Sequence, residues 1–160
     1  QALGYIAWPT TDQVNDRTEA RQVAILADVL KLRVLEEIRE RQALAYSPNA
    51  GSSASTVFPG YGSISVTAQT TPESLPAFFD AIDVIATSLR DTPVTEDELN
   101  RARLPAVATN PEAVDQTLTA ISDMEAITPA DIQRLARQYL NGDTAWRATV
   151  TSSVPAVAAP

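Results

Sequence analysis

Gly60-Tyr61-Gly62-Ser63-Ile64-Ser65-Val66-Thr67-Ala68-Gln69-Thr70 is the stretch that decides the fold. Ile64, Val66 and Ala68 fall on one side of an extended chain. Ser63, Ser65, Thr67 and Gln69 fall on the other. Strict alternation predicts a strand with one packed face and one polar face, the pattern of an antiparallel sheet covered on a single side. Upstream, Tyr46 to Ser53 reads as extended, with a break at Pro48. The loop Ala54 to Pro59 between these two segments predicts a hairpin.

The neighbours supply helices and outer strands. Ala2 to Trp8 reads as a strand that is apolar on both sides and ends at Pro9, followed by a polar connection from Thr10 to Asp16. Thr18 to about Gln42 is the longest helical pattern, with Val23, Leu26, Ala27, Leu30, Val34 and Ile38 on one face. Asn15, Asp16 or Thr18 is its candidate cap. Thr71-Pro72 opens a second helix, with Leu75, Phe78, Phe79, Ile82, Ile85 and Leu89 on one face. Thr95 and Glu98 have capping-box spacing before a third. Thr128-Pro129 opens a last one, which the pair Asn141-Gly142 is expected to stop in a left-handed turn. Thr144 to Ser152 is a closing strand. The expected fold is α+β: a mostly antiparallel sheet of about four strands with helices on one face. Residues 1–152 form one domain and 153–160 a tail.

Composition narrows the chemistry. A chain of 160 residues can bury roughly 68–70% of its unfolded surface, so it needs no cross-link to hold a core. It has no Cys and no His, which removes thiolate and imidazole metal ligands and the commonest general base. The net charge is −8, with no basic block to neutralise phosphates, so nucleic acid is not an expected partner. No run reaches the roughly 20 apolar residues of a membrane span. The acidic runs Glu36-Glu37, Glu40 and Glu96-Asp97-Glu98 fit solvated faces and first helical turns. Trp8 and Trp146 fit packing in the core or at a sheet edge. The chain starts in a strand-like run without an initiator Met, which reads as a fragment with any targeting segment upstream.

The junction after the long helix, Glu37-Ile38-Arg39-Glu40-Arg41-Gln42-Ala43-Leu44-Ala45-Tyr46-Ser47, places an arginine and a tyrosine seven residues apart. Arg39 also fits a plain role at a helix C-terminus, and Tyr46 a half-buried packing role. Four segments in this order resemble the pitrilysin/insulinase family of zinc metallopeptidases, the inverted-motif zincins. They are Ala7-Trp8-Pro9-Thr10, the helix Leu26 to Arg39 with Leu44-Ala45-Tyr46-Ser47, Pro93 to Leu99 with Arg101-Ala102-Arg103, and Ile127 to Gln133 with Tyr139-Leu140.

The resemblance implies the C-terminal, non-zinc-binding half of such a peptidase. Arg39 and Tyr46 would be the substrate-binding and transition-state contacts, facing a chamber. Zinc would be held by an N-terminal half carrying H-x-x-E-H, in the same chain or a partner subunit. The substrate would be a peptide. An inactive structural or assembly domain of the same fold is the alternative, and an unrelated peptide- or protein-binding module is a third. The resemblance to bacterial members favours the periplasm. Two departures stand out. Arg103 to Asn110 is short against the family pattern: either the protein has a deletion there, or a segment is missing, the reading that Leu104-Pro105-Ala106-Val107 favours because it resembles an interrupted helix start. The glycine-rich loop of mitochondrial regulatory relatives is not evident among only five Gly.

Overall fold

The computed structural model describes residues 1–45, 47–108 and 122–151, without the side chains of 104–108. In chain order it contains β1 (Ala2–Thr10), α1 (Arg17–Val34), a π segment (Leu35–Arg41), β2 (Asn49–Ala54) and β3 (Gly62–Thr70). Then come α2 (Leu75–Asp91), α3 (Glu96–Ala108), α4 (Pro129–Tyr139) and β4 (Trp146–Thr151). The four strands lie in the order β2-β3-β1-β4, and every neighbouring pair is antiparallel. The helices cover one face. The α+β architecture is therefore the one that the alternation in β3 predicts.

Register sets the two faces. Gly4, Ile6 and Trp8 of β1 sit opposite Ala68, Val66 and Ile64 of β3, and all six are buried under the helices. α1 lies across β2 and β3, and α2 and α4 reach β1. The apolar stripe of α1 is buried from Val23 through Val34, and Phe78, Ile82 and Leu89 of α2 join it. Each large side chain fully removed from water contributes about 1.5–3 kcal/mol. The other face holds Leu3, Tyr5, Ala7 and Pro9 of β1 beside Gln69, Thr67, Ser65 and Ser63 of β3.

Several boundaries differ from the sequence reading, each for a local reason. β1 continues through Pro9 to Thr10. The β4 ladder has ended at Ala7–Trp146, so Pro9 lies where β1 is bordered by β3 alone, and a proline there removes no rung on the β4 side. β3 starts at Gly62 because Gly60 is in a left-handed turn with φ +83°. The Thr95–Glu98 capping box is half made. The Glu98 amide donates to Thr95 Oγ1 at 3.1 Å, but the Glu98 carboxylate turns to Arg33 of α1 in a bidentate pair at 2.7 and 3.0 Å. A charged fork outcompetes a return bond to a backbone amide. The box at Thr128 and Asp131 is complete.

Asn141-Gly142 makes no left-handed stop. Asn141 instead accepts from the Asp143 amide at 3.2 Å and caps a short 3-10 turn, Gly142–Thr144, so β4 begins later, at Trp146. Helix α3 runs through Pro105 to Ala108. The expected short connection up to Asn110 and the tail 153–160 lie outside the described residues.

Asp12 latches the β2–β3 hairpin to the β1–α1 connection. It is buried, accepts from the Val14 and Asn15 amides and from Asn15 Nδ2, and takes the Gly60 amide at 2.6 Å across the loop. The Asn15 amide, with help from those of Gly60 and Val14, holds the carboxyl below its ordinary 3.8 against the opposing effect of burial. A lowered folded pKa adds stability above the unfolded value, and that stability is lost as pH falls through the folded one. In thermal melts from pH 7 to pH 2, Asp12→Asn is therefore expected to melt lower at neutral pH and to shed part of the acid-range decline.

A second test concerns the same corner. A Cβ on Gly62 would come within 1.9 Å of the Thr11 carbonyl oxygen, whereas one on Gly51 would meet nothing within 4 Å. Gly62→Ala is expected to cost about 1–3 kcal/mol or more in urea unfolding, and Gly51→Ala to be neutral or stabilising.

Candidate functional site at the end of the first helix

The junction between α1 and β2 is built differently from an ordinary helix end. After Val34 the backbone widens into seven residues of π-helix, Leu35–Arg41. The Gln42 amide donates to the Glu37 carbonyl, five residues back, at 3.0 Å. Side chains follow the same pitch. Arg41 pairs with Glu36 at 2.5 Å, and Gln42 Nε2 donates to Glu37 Oε1 at 2.6 Å, each pair five residues apart. Arg41 also reaches Glu37, four residues back, at 3.3 Å, so its guanidinium spans both the α-like and the wider spacing. Ile38 stays fully buried and anchors the segment to the core, while Arg39 is exposed.

The π segment stops at Ala43, whose φ of +50° lies in the left-handed region. That conformation costs an L-residue roughly 1–2 kcal/mol, and glycine usually fills it. The Leu44 amide then donates to the Ile38 carbonyl at 2.9 Å, and the Leu44 carbonyl accepts from Thr70 Oγ1 at 2.5 Å. Ala45 is buried. The chain is thus fixed at the end of the sheet where Ala2 pairs with Thr70 and Thr151. π turns and left-handed non-glycine residues gather at functional sites. Tyr46 itself lies outside the described residues, so its position relative to Arg39 is not described.

Sequence reasoning singled out Arg39 as a candidate but did not foresee the π segment or the left-handed Ala43 beside it. The Glu36–Arg41 and Glu37–Gln42 spacings were the readable signal. Ala43 carried none, because alanine is a good helix former.

A groove of about 810 Å³ borders the π segment itself, between the last turns of α1, α2 and the start of α3, with Leu35, Glu36, Glu37, Glu40 and Arg41 among its lining. Leu32, Leu35 and Ile85 line it, as do Arg33 and Glu98, which pair at 2.7 Å. Arg39 does not line it. Among the described residues no group of three or more His, Cys, Asp or Glu is placed to hold a metal. With neither His nor Cys anywhere in the sequence, these donors do not fit a zinc centre.

Residues 1–104 match the family described as the peptidase M16 inactive domain. The fold is similar to the inactive peptidase domain of a candidate zinc protease from Bordetella parapertussis, with 17% identity and a TM-score of 0.73 over 99% of this chain and 95% of that one. It is similar to a protease from Helicobacter pylori, at 13% identity and a TM-score of 0.77, covering 94% of this chain and 41% of that one. The periplasmic protease PqqL from Escherichia coli is similar too, at 17% identity and a TM-score of 0.65 over 93% of this chain and 19% of that one. The chain therefore spans about two-fifths of the H. pylori protein and about one-fifth of PqqL. No curated protein matches it.

The strain at Ala43 is measurable. An Ala→Gly change inside a helix ordinarily costs about 0.5–1 kcal/mol. At position 43 glycine removes a left-handed penalty instead. Ala43→Gly is expected to leave the urea-unfolding free energy unchanged or raise it by up to about 1 kcal/mol, and Ala43→Val to lower it.

Proposed function

The chain belongs to the peptidase M16 inactive-domain family, and from that premise we propose that it completes the proteolytic chamber of a two-half zinc endopeptidase. Residues 1–152 act as one domain of the half that binds no metal. Zinc and the water-activating glutamate belong to the N-terminal half with its H-x-x-E-H motif, in the same polypeptide or a partner subunit. The metal supplies Lewis-acid chemistry there. The chain alone hydrolyses nothing.

The observation that carries this reading is the junction. Arg39 stands exposed on a π segment closed at Ala43 and tied through Leu44 to Thr70, immediately ahead of Tyr46. Peptide hydrolysis builds negative charge on the scissile carbonyl oxygen, and a positioned donor stabilises it. Tyr46 is that donor in this proposal, because a phenol with an ordinary pKa near ~10 keeps its proton at neutral pH. Arg39, which never loses its charge, holds a backbone carbonyl of the peptide or orients the phenol. Among the described residues no helix is long and apolar enough to cross a membrane. The likeness to a periplasmic protease supports, as a further proposal, the same compartment for this chain.

Tyr46→Phe in the complete protein is expected to lower kcat by ~10²–10³ with zinc content unchanged by elemental analysis. Arg39→Ala is expected to raise KM more than it lowers kcat. Unchanged turnover in Tyr46→Phe at full zinc occupancy rules the assignment out.

A further inference from the structure

The row of side chains that β3 turns toward the helices ends in a hydroxyl. Ile64, Val66, Ala68 and Thr70 alternate onto one side of the strand; the first three are buried and apolar, and Thr70 is half-buried. A polar group at the end of such a row calls for a partner. Thr70 Oγ1 donates to the Leu44 carbonyl oxygen at 2.5 Å, joining residues 26 positions apart. The backbone that carries this donor is fixed on both sides. Thr70 pairs with Ala2 at the end of the β1–β3 ladder, and Thr71 caps the turn into α2 by accepting from the Ser74 amide at 3.3 Å.

Leu44 is the last residue but one before Tyr46. Its amide donates to the Ile38 carbonyl at 2.9 Å, and its carbonyl is the acceptor for Thr70. Downstream, Pro48 is buried and Asn49 opens β2 opposite Thr67 of β3. The span from Leu44 to Asn49 is therefore fastened at its two ends to the same strand, at Thr70 and at Thr67. The two ties differ in kind. Asn49 is the first rung of a continuous ladder with β3, whereas Leu44 precedes β2 and is held to β3 by a side-chain hydroxyl. Deleting that hydroxyl frees the Leu44 carbonyl from the sheet and removes no rung of the ladder. Arg39 lies on the other side of Ala43, in the π segment, whose own backbone holds it.

We propose that Thr70 is a positioning residue for Tyr46: acting through the Leu44 carbonyl, its hydroxyl fixes the backbone that leads into the phenol. This rests on the peptidase reading above and adds a residue to it that touches neither the peptide nor the metal. A donor aimed at a developing charge works only when held within about 0.5 Å of its productive place, and a misplacement of ~1 Å can cost ~10²-fold in rate.

The test uses the complete protein and an internally quenched peptide, selected from a mixed-sequence library by wild-type cleavage. Thr70→Val keeps the branched shape and deletes the donor. It is expected to lower kcat about tenfold, with KM changed by less than about twofold and zinc content unchanged. Thr70→Ala, which adds no methyl group, should match it, and Thr70→Ser should restore kcat to within about threefold because it returns the hydroxyl. Beside Tyr46→Phe, Thr70→Val should change kcat by less than about twofold, since the donor it positions is already gone. Asp12→Asn, at the far end of the hairpin, is expected to lower the melting temperature and leave kcat unchanged. Wild-type kcat in Thr70→Val and Thr70→Ala, with Tyr46→Phe impaired, overturns the proposal and leaves the Arg39–Tyr46 reading intact. A loss that Thr70→Ser does not recover, that persists in full beside Tyr46→Phe, or that Asp12→Asn reproduces also overturns it, because general loosening would then account for the effect. Unchanged turnover in Tyr46→Phe at full zinc occupancy, or no cleavage by the zinc-loaded wild type, removes the peptidase reading and this proposal together.

Discussion

The pairing of β1 with β3 is the constraint on which the rest of this structure depends. It runs without a break from Ala2 opposite Thr70 to Thr10 opposite Gly62. Because side chains alternate, one choice of register puts Ile6, Trp8, Ile64 and Val66 under the helices and Tyr5, Ala7, Ser65 and Thr67 on the open side. A slip by one residue would exchange the two sets. The register is held at one end by Gly62, packed against the Thr11 carbonyl, and at the other by Gly4, whose missing side chain admits the Phe78 ring. Trp8 shows how strongly packing dominates. Its ring is buried although Nε1 finds no acceptor among the described residues. An orphaned donor costs about 1–3 kcal/mol, comparable to what burial of one large apolar side chain contributes.

Helix α1 links that register to the junction with β2. It lies across β2 and β3, so its end must come down beside the end of the sheet. α4 holds its start: the Tyr139 hydroxyl donates to Glu19, and Gln138 donates to the same carboxylate at 3.0 Å. Burial first, then the Glu19 carboxylate, push the Tyr139 phenol up to about 12, so this tie stays protonated through the neutral range. At the other end Arg33 joins α1 to Glu98 of α3 and to Ser88 of α2. A helix pinned at both ends has little freedom to adjust its exit. The π turn and the left-handed Ala43 redirect the backbone over a few residues, where a straight α-helix would have carried Arg39 onward with the rest of its polar face.

The architecture was legible in the sequence because it follows from period. Ile64-x-Val66-x-Ala68 gives the sheet its two faces, and the 3–4 spacing from Val23 to Ile38 gives α1 its stripe. Capping residues were less reliable wherever a side chain had a better offer. Glu98 is claimed by Arg33, and Asn141 caps the turn ahead of it rather than closing the helix behind. Nothing in composition marks Pro9 as tolerable in a strand, because that depends on where β4 stops. The site divides in the same way. Arg39 and the position of Tyr46 were reached through a family likeness, and the side-chain pairs five residues apart were there to be read. The left-handed alanine was not, since tertiary closure through Leu44 and Thr70 imposes it.

The distribution of charge joins these observations. The chain carries −8, and its paired charges tie the helical layer together, as with Arg21 and Asp123 at 2.6 Å or Arg33 and Glu98. The strands beneath carry a single charged residue, Arg147, which is paired with Asp83 of α2 at 2.7 Å. In the proposed reading, the donors of this half would be Arg39 and Tyr46, with Arg39 placed by the π segment that Ala43 closes.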